Sequence, residues 1–121
     1  MAQSIRDVMT AHPITLPATS AVVQAARAMR DSDIGDVVVT ENGRVCGIVT
    51  DRDITVRGVA EGHDISSLTL GDICSRQLTT LSPMDSVESA VRLMREKALR
   101  RLPVVDSGKP VGIVSLGDLA V

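Results

Sequence analysis

The sequence predicts an α+β fold made of two small units related by a pseudo-twofold axis, each running helix, short strand, helix, hairpin, helix. Three observations predict it. The chain matches itself without a gap at a shift of 65 residues. Each copy couples a stretch of helical apolar spacing to a two-residue turn of the hairpin type. A single copy is also too thin to bury its own apolar faces, so two copies must share what they bury.

In the repeat, Asp7 meets Asp72, Thr15-Leu16 meets Thr80-Leu81, Ala25 meets Ala90 and Met29-Arg30 meets Met94-Arg95. Val39 falls on Val104, Gly43 on Gly108, Gly47-Ile48-Val49 on Gly112-Ile113-Val114, and Asp53 on Asp118. Apolar residues exchange conservatively at Ile34/Leu99, Val37/Leu102 and Ile54/Leu119. A self-match in constant register marks a duplicated unit. The first unit is placed at residues 5–61, a linker at 62–68 and the second unit at 69–121.

Within each copy the elements follow from local chemistry. Ile5 to Met9 is a short apolar lead-in, and Ile14–Leu16 an extended piece. Thr19 or Ser20 opens a helix whose stripe is Val22, Ala25, Ala26 and Met29. In the second copy Asp85, with Glu88 three residues on, forms a capping-box pattern ahead of Val87, Ala90, Val91 and Met94. Asp36–Thr40 and Arg44–Val49 then form a hairpin around Asn42-Gly43, residues that tolerate positive φ. Arg101–Val105 and Lys109–Val114 repeat it around Ser107-Gly108. A further helix starts at Thr50 and at Ser115. Only three residues follow Asp118, so the last helix is either a single turn or cut short.

Composition narrows the function classes. Of 121 residues, 44% are hydrophobic and 23% charged, a globular balance. The net charge is −2. Residues 1–60 carry six basic and seven acidic side chains, and residues 61–121 carry seven and eight, so neither half has the positive excess that binding a phosphate polymer needs. There is no Phe, Tyr or Trp. A bound base must therefore be gripped by aliphatic side chains and backbone, which argues against a single-strand nucleic-acid binder. Cys46, Cys74, His12 and His63 are scattered, giving neither a disulfide framework nor a zinc-ligand spacing; Cys46, in an apolar run, reads as a buried small hydrophobe. No signal peptide and no bilayer-length apolar stretch is present, so a cytoplasmic protein without membrane contact is expected.

The repeated signature is Gly47-Ile48-Val49-Thr50-Asp51-Arg52-Asp53 and Gly112-Ile113-Val114-Ser115-Leu116-Gly117-Asp118. In each, a strand ends in a hydroxyl residue and an aspartate follows three positions later, in the first turn of a helix. Two readings coexist. As caps, the hydroxyl and carboxylate satisfy exposed N–H groups and the helix dipole, contributing about 1–2 kcal/mol per helix. As ligands, a carboxylate at a cleft accepts hydrogen bonds from adjacent sugar hydroxyls, and the neighbouring hydroxyl and amides suit a phosphate.

With Gly-Ile-Val-Thr-x-x-Asp and Gly-Ile-Val-Ser-x-x-Asp after matching hairpins, the chain resembles a tandem pair of cystathionine-β-synthase (CBS) domains, a Bateman module, over nearly its whole length. The resemblance implies two sites in a cleft between the repeats for AMP, ADP, ATP or S-adenosylmethionine, with the aspartate on the ribose and no other cofactor required. It implies one site at Ile14, Thr15, Asp36, Val37, Thr50 and Asp53, and another at Thr79, Thr80, Arg101, Pro103, Ser115 and Asp118. Gly35-Asp36 in the first copy becomes Arg100-Arg101 in the second, so the second site is expected to favour a phosphate and to hold its ligand differently.

The leading expectation is a regulatory, non-enzymatic sensor of an adenosine derivative, acting as a homodimer or on a regulated protein in trans. The alternative is a structural or protein-interaction module that binds no ligand. An enzyme is disfavoured, because the sequence has no phosphate loop, nucleophile–base pairing or metal-ligand spacing.

Overall fold

A computed structural model of the chain describes residues 3–74 and 78–119. Both predicted hairpins form: β3 (Asp36–Glu41) with β4 (Arg44–Thr50), and β5 (Arg101–Asp106) with β6 (Lys109–Ser115). Their turns need positive φ at both central residues, and have it: Asn42 at 53° and Gly43 at 77°, Ser107 at 53° and Gly108 at 81°. Both hairpins also slip register once at equivalent positions, between Val39 and Thr40 and between Val104 and Val105. Cys46 and Val111 are left as the bulged residues.

The chain divides into two compact units that cut across the sequence repeats: Ile14–Leu78, and Met1–Pro13 together with Thr79–Val121. In the unit Ile14–Leu78, β2 (Thr15–Pro17) lies parallel to β3, which pairs antiparallel with β4. Helix α2 (Val22–Ser32), the short α3 (Asp51–Asp53) with its continuation as a π-helix (Ile54–Val59), a 3₁₀ turn (Ile65–Ser67) and α4 (Leu70–Ile73) complete it. Its core joins Val22, Ala25 and Met29 of α2 to Val37, Val39 and Val49 of the sheet and to Leu70, Ile73 and Cys74.

In the other unit, α1 (Ile5–Val8) and β1 (Thr10–Ala11) join α5 (Val87–Lys97), the β5–β6 hairpin and α6 (Leu116–Leu119). The sheet order is β1-β6-β5. Its core joins Ile5 to Leu81, Ala90, Met94, Leu102, Val104, Val114 and Leu119. Each lead-in helix is thus built into the unit formed by the hairpin of the other repeat. The hydrogen bonds repeat the exchange residue for residue. Ile5 N–H donates to the Asp85 carbonyl at 2.8 Å and Arg6 N–H to Pro83 at 3.0 Å; 65 positions on, Leu70 N–H donates to Ser20 and Gly71 N–H to Ala18, both at 2.9 Å. Residues 62–68, expected to be a linker, belong to the unit Ile14–Leu78, with Leu68 packed against its core.

Four local expectations are corrected, the first of them through this exchange. Neither Thr19 nor Ser20 caps α2. Ala21 stands at the N-cap without a side-chain bond, and the first helical amide, Val22 N–H, is met by the Leu68 carbonyl at 2.9 Å. A backbone acceptor from a distant segment makes a hydroxyl cap unnecessary. The cap of α5 is Ser86, whose hydroxyl accepts from Ser89 N–H at 3.0 Å. Asp85 instead accepts from Ser82 N–H at 2.8 Å, and Glu88 is exposed. In the α2 stripe Ala26 is exposed, leaving Val22, Ala25 and Met29 as the buried face. Cys46 is only half-buried; Cys74 is the buried thiol.

Helix α4 enters through an acid-sensitive cap. Thr69 N–H donates to Asp72 Oδ2 at 2.9 Å and, with the Thr69 hydroxyl, holds that carboxyl below its ordinary value near 3.8. Just before it, the Ser66 hydroxyl and N–H hold Asp64 low in the same way, at 2.6 and 3.1 Å. A lowered carboxylate stabilises the fold above its unfolded value, and that stability is lost as pH falls through the folded value. Asp72→Asn is therefore expected to lower the urea midpoint near neutral pH and to approach the wild-type midpoint well below pH 3.8. A deficit of constant size down to strong acid would contradict the assignment.

Candidate functional site

The two signatures fold into the same local object. At the end of β4 the Thr50 hydroxyl accepts from Asp53 N–H at 3.1 Å, while Asp53 Oδ2 accepts from Thr50 N–H at 2.9 Å. At the end of β6 the Ser115 hydroxyl accepts from Asp118 N–H at 3.3 Å, and Asp118 Oδ2 accepts from Ser115 N–H at 2.8 Å. The capping reading of both hydroxyls is correct, and each aspartate closes a reciprocal capping box. In each carboxylate one oxygen is committed to the cap. All four side chains are half-buried.

The first strand of each hairpin brings the other candidates alongside. Asp36 pairs across the ladder with Thr50, and Arg101 with Ser115. The helix after each hairpin begins with a bond back to the preceding loop: Asp51 N–H donates to the Gly35 carbonyl at 3.0 Å and Leu116 N–H to Arg100 at 2.7 Å. Ile14 accepts from Val38 N–H at 3.0 Å, and Thr15 is exposed on β2 opposite Val38. Thr79 is half-buried and Thr80 exposed, just ahead of Leu81, whose N–H donates to the Pro103 carbonyl at 3.0 Å. Ile14, Thr15, Asp36, Val37, Thr50 and Asp53 thus all fall in the unit Ile14–Leu78, and Thr79, Thr80, Arg100, Arg101, Pro103, Ser115 and Asp118 in the other.

Two of these residues have core side chains. Val37 is fully buried in its unit's cluster and Pro103 is buried as well. A ligand beside either would meet backbone or neighbouring side chains. Arg100 is exposed and Arg101 half-buried, at the start of β5.

One neighbour of the site was missed in the sequence. Arg57, on the π-helix, places Nε 3.9 Å from Asp53 Oδ1 and donates from Nη1 to the Ile73 carbonyl at 3.3 Å. The i,i+4 spacing from Asp53 is the signal that could have found it.

Among the described residues, no three His, Cys, Asp or Glu side chains gather as metal ligands would, and no helix is long and apolar enough to cross a membrane. A shallow groove of about 360 Å³ along α5, lined by Leu81, Asp85, Ser89, Arg92, Leu93 and Glu96, contains none of the signature residues.

Comparison with known proteins agrees with this arrangement. The family model of the CBS domain matches residues 5–58 and 70–121. The CBS domain-containing protein YhcV of Bacillus subtilis is 39% identical over 118 residues, covering 98% of this chain and 84% of that protein. Hypoxic response protein 1 of Mycobacterium tuberculosis is 32% identical over 116 residues, covering 95% and 81%. A crystal structure of Hypoxic Response Protein I, holding two coordinated zinc ions, superposes with a TM-score of 0.86 at 31% identity, over 98% of this chain and 97% of that one. The CBS domain pair of protein MJ0100, in complex with 5′-methylthioadenosine and S-adenosyl-L-methionine, shares the fold with a TM-score of 0.89 at 24% identity, over 99% and 94%. Two matched repeats, a capped Thr/Ser–Asp signature at each hairpin end and relatives of nearly equal span lead to one conclusion: this chain belongs to the CBS-domain family and carries two CBS domains in tandem.

Proposed function

We propose that the chain is a regulatory module that binds an adenosine-containing ligand, AMP, ADP, ATP or S-adenosylmethionine, at one or both signatures, and performs no catalysis. The observation that carries this reading is the repeated geometry of the motif aspartates. Asp53 and Asp118 are each fixed through one oxygen to the backbone of their own helix start. The other oxygen of each is then oriented without further ordering cost, as a sugar diol requires. The likeness to the MJ0100 pair, which holds two adenosine compounds, supports the ligand class. Arg100 and Arg101 beside Ser115 support a phosphate at the second signature, against Asp36 beside Thr50 at the first.

Regulation requires that the ligand bind one arrangement of the protein better than another, and that something read the difference. Exposed Val56, Val59, Met84 and Leu116 support a second copy or a separate protein as the reader. The absence of a phosphate loop or nucleophile–base pair in the sequence supports a non-catalytic role.

One observation favours a second reading, a module that binds no small ligand: both hydroxyls and one oxygen of each carboxylate are already satisfied by capping. Thermal shift with AMP, ADP, ATP, S-adenosylmethionine and NAD separates the two. At a hundred times its Kd a ligand adds about 2.7 kcal/mol of stability. At least one adenosine compound is expected to raise Tm. Asp118→Ala is expected to remove the response of the arginine-flanked site while costing about 1 kcal/mol, a capping loss, in the unliganded protein. No shift with any compound would favour the second reading, whereas a full response in both Asp53→Ala and Asp118→Ala would place the ligand away from the signature aspartates.

A further inference from the structure

We propose that Arg57 is a positioning residue that ties the state of the Asp53 carboxylate to helix α4, so that occupancy of the first signature is transmitted to the segment Leu70–Cys74. The proposal rests on the ligand-binding reading above and names the route by which one site is read out.

The geometry is that of a bridge. Asp53 is 22% exposed and Arg57 is 51% exposed. Asp53 Oδ2 is held by Thr50 N–H, so the oxygen facing Arg57, Oδ1, is also the one left to accept a sugar hydroxyl. The other arm of the same guanidinium reaches the Ile73 carbonyl, one of the terminal carbonyls of α4 that lack a partner within the helix. The rigid, planar guanidinium points its donors toward the carboxylate and the carbonyl in fixed directions.

The backbone is shaped to allow this. After Asp53 the helix widens: Ala60 N–H donates to the Thr55 carbonyl at 2.8 Å and His63 N–H to Gly58 at 3.3 Å, both five residues back. Such wide turns are uncommon and are frequently found at functional sites. Next to Arg57, Gly58 is buried, and a Cβ there would stand 2.9 Å from Ile65 Cδ1, so the widened helix rests directly on the segment leading to α4. Helix α4 is the lead-in of the second repeat, and beyond Leu78 the chain passes into the other compact unit. A ligand that takes Oδ1 weakens the hold on Arg57 and thereby loosens α4; by linkage, anything that loosens α4 alters affinity at Asp53.

Hydrogen exchange on the whole chain tests this in two arms. Without ligand, Asp53→Asn and Arg57→Gln are each expected to speed exchange in residues 70–74 by about two- to threefold, the scale of a half-exposed i,i+4 pair. The double variant is expected to be no faster than either single one. Additive effects would overturn the bridge. In the second arm, AMP, ADP, ATP and S-adenosylmethionine are each added at saturation. A bound compound should slow exchange at residues 50–55 in wild type and in Arg57→Gln, and should speed it at 70–74 in wild type alone. An equal response at 70–74 in both proteins would overturn the relay while leaving ligand binding intact. No protection at 50–55 in wild type with any compound would instead sink the ligand-binding reading, and the relay with it.

Discussion

A fragment covering residues 14–78 is expected to unfold cooperatively in urea, whereas one covering residues 5–61, a complete sequence repeat, is expected to show no native transition. The difference lies in what each fragment can bury. Residues 14–78 retain the cluster in which α2 and the β2-β3-β4 sheet enclose Leu70, Ile73 and Cys74, with Leu68 packed against it. They also retain the acceptor for Val22 N–H and the bonds from Leu70 and Gly71 into the turn before α2. The repeat fragment loses all of these and gains α1, whose Ile5 belongs to the other unit's core. Each large aliphatic side chain removed from a core costs about 2–5 kcal/mol, against a total stability of about 5–15 kcal/mol for a small domain. Two or three such losses exceed what a chain of this size can spare. Circular dichroism of the two fragments through a urea series decides the matter; a sigmoidal transition from residues 5–61 and none from 14–78 would show that the repeat, and not the exchanged unit, is the folding unit.

That exchange marks the limit of what the sequence could reveal. The hairpins were legible because their signal is local: Asn42-Gly43 and Ser107-Gly108 meet a backbone demand two residues long. The capping boxes at Thr50/Asp53 and Ser115/Asp118 were legible for the same reason, since both partners lie within one turn. The core that α1 and α4 enter was not legible, because burial is non-directional and Ile5 and Leu70 satisfy either unit equally well. The caps of α2 failed with it: the acceptor for Val22 N–H comes from Leu68, far along the chain, and no local pattern announces it.

The candidate site divides in the same way. Asp36 and Arg101 are placed by strand register opposite the signature hydroxyls, and register follows from the turn. The burial of the Val37 and Pro103 side chains was not legible: Val37–Val39 and Leu102–Val104 are each buried as three consecutive residues, without the alternation that would mark an accessible face. Arg57 was legible toward Asp53 through i,i+4 spacing but not toward Ile73, a contact across sixteen residues.

Ile5→Ala and Leu70→Ala occupy equivalent places in the two repeats, and each is expected to destabilise the protein by about 2–5 kcal/mol. Both side chains have no exposed surface, and neither α1 nor α4 is long enough to hold its shape without the packing those residues provide. The informative quantity is where the damage falls. Ile5 contributes to the cluster containing Met94, Leu102 and Val114, so Ile5→Ala should speed hydrogen exchange first in α5 and the β5–β6 hairpin. Leu70 contributes to the cluster containing Met29, Val39 and Val49, so Leu70→Ala should do so first in α2 and the β3–β4 hairpin. Each substitution would then weaken most the unit built on the hairpin of the other repeat, because buried apolar contact acts on what it touches and not on what lies nearby in sequence. Exchange that rose instead in residues 14–61 after Ile5→Ala would return each lead-in helix to its own repeat.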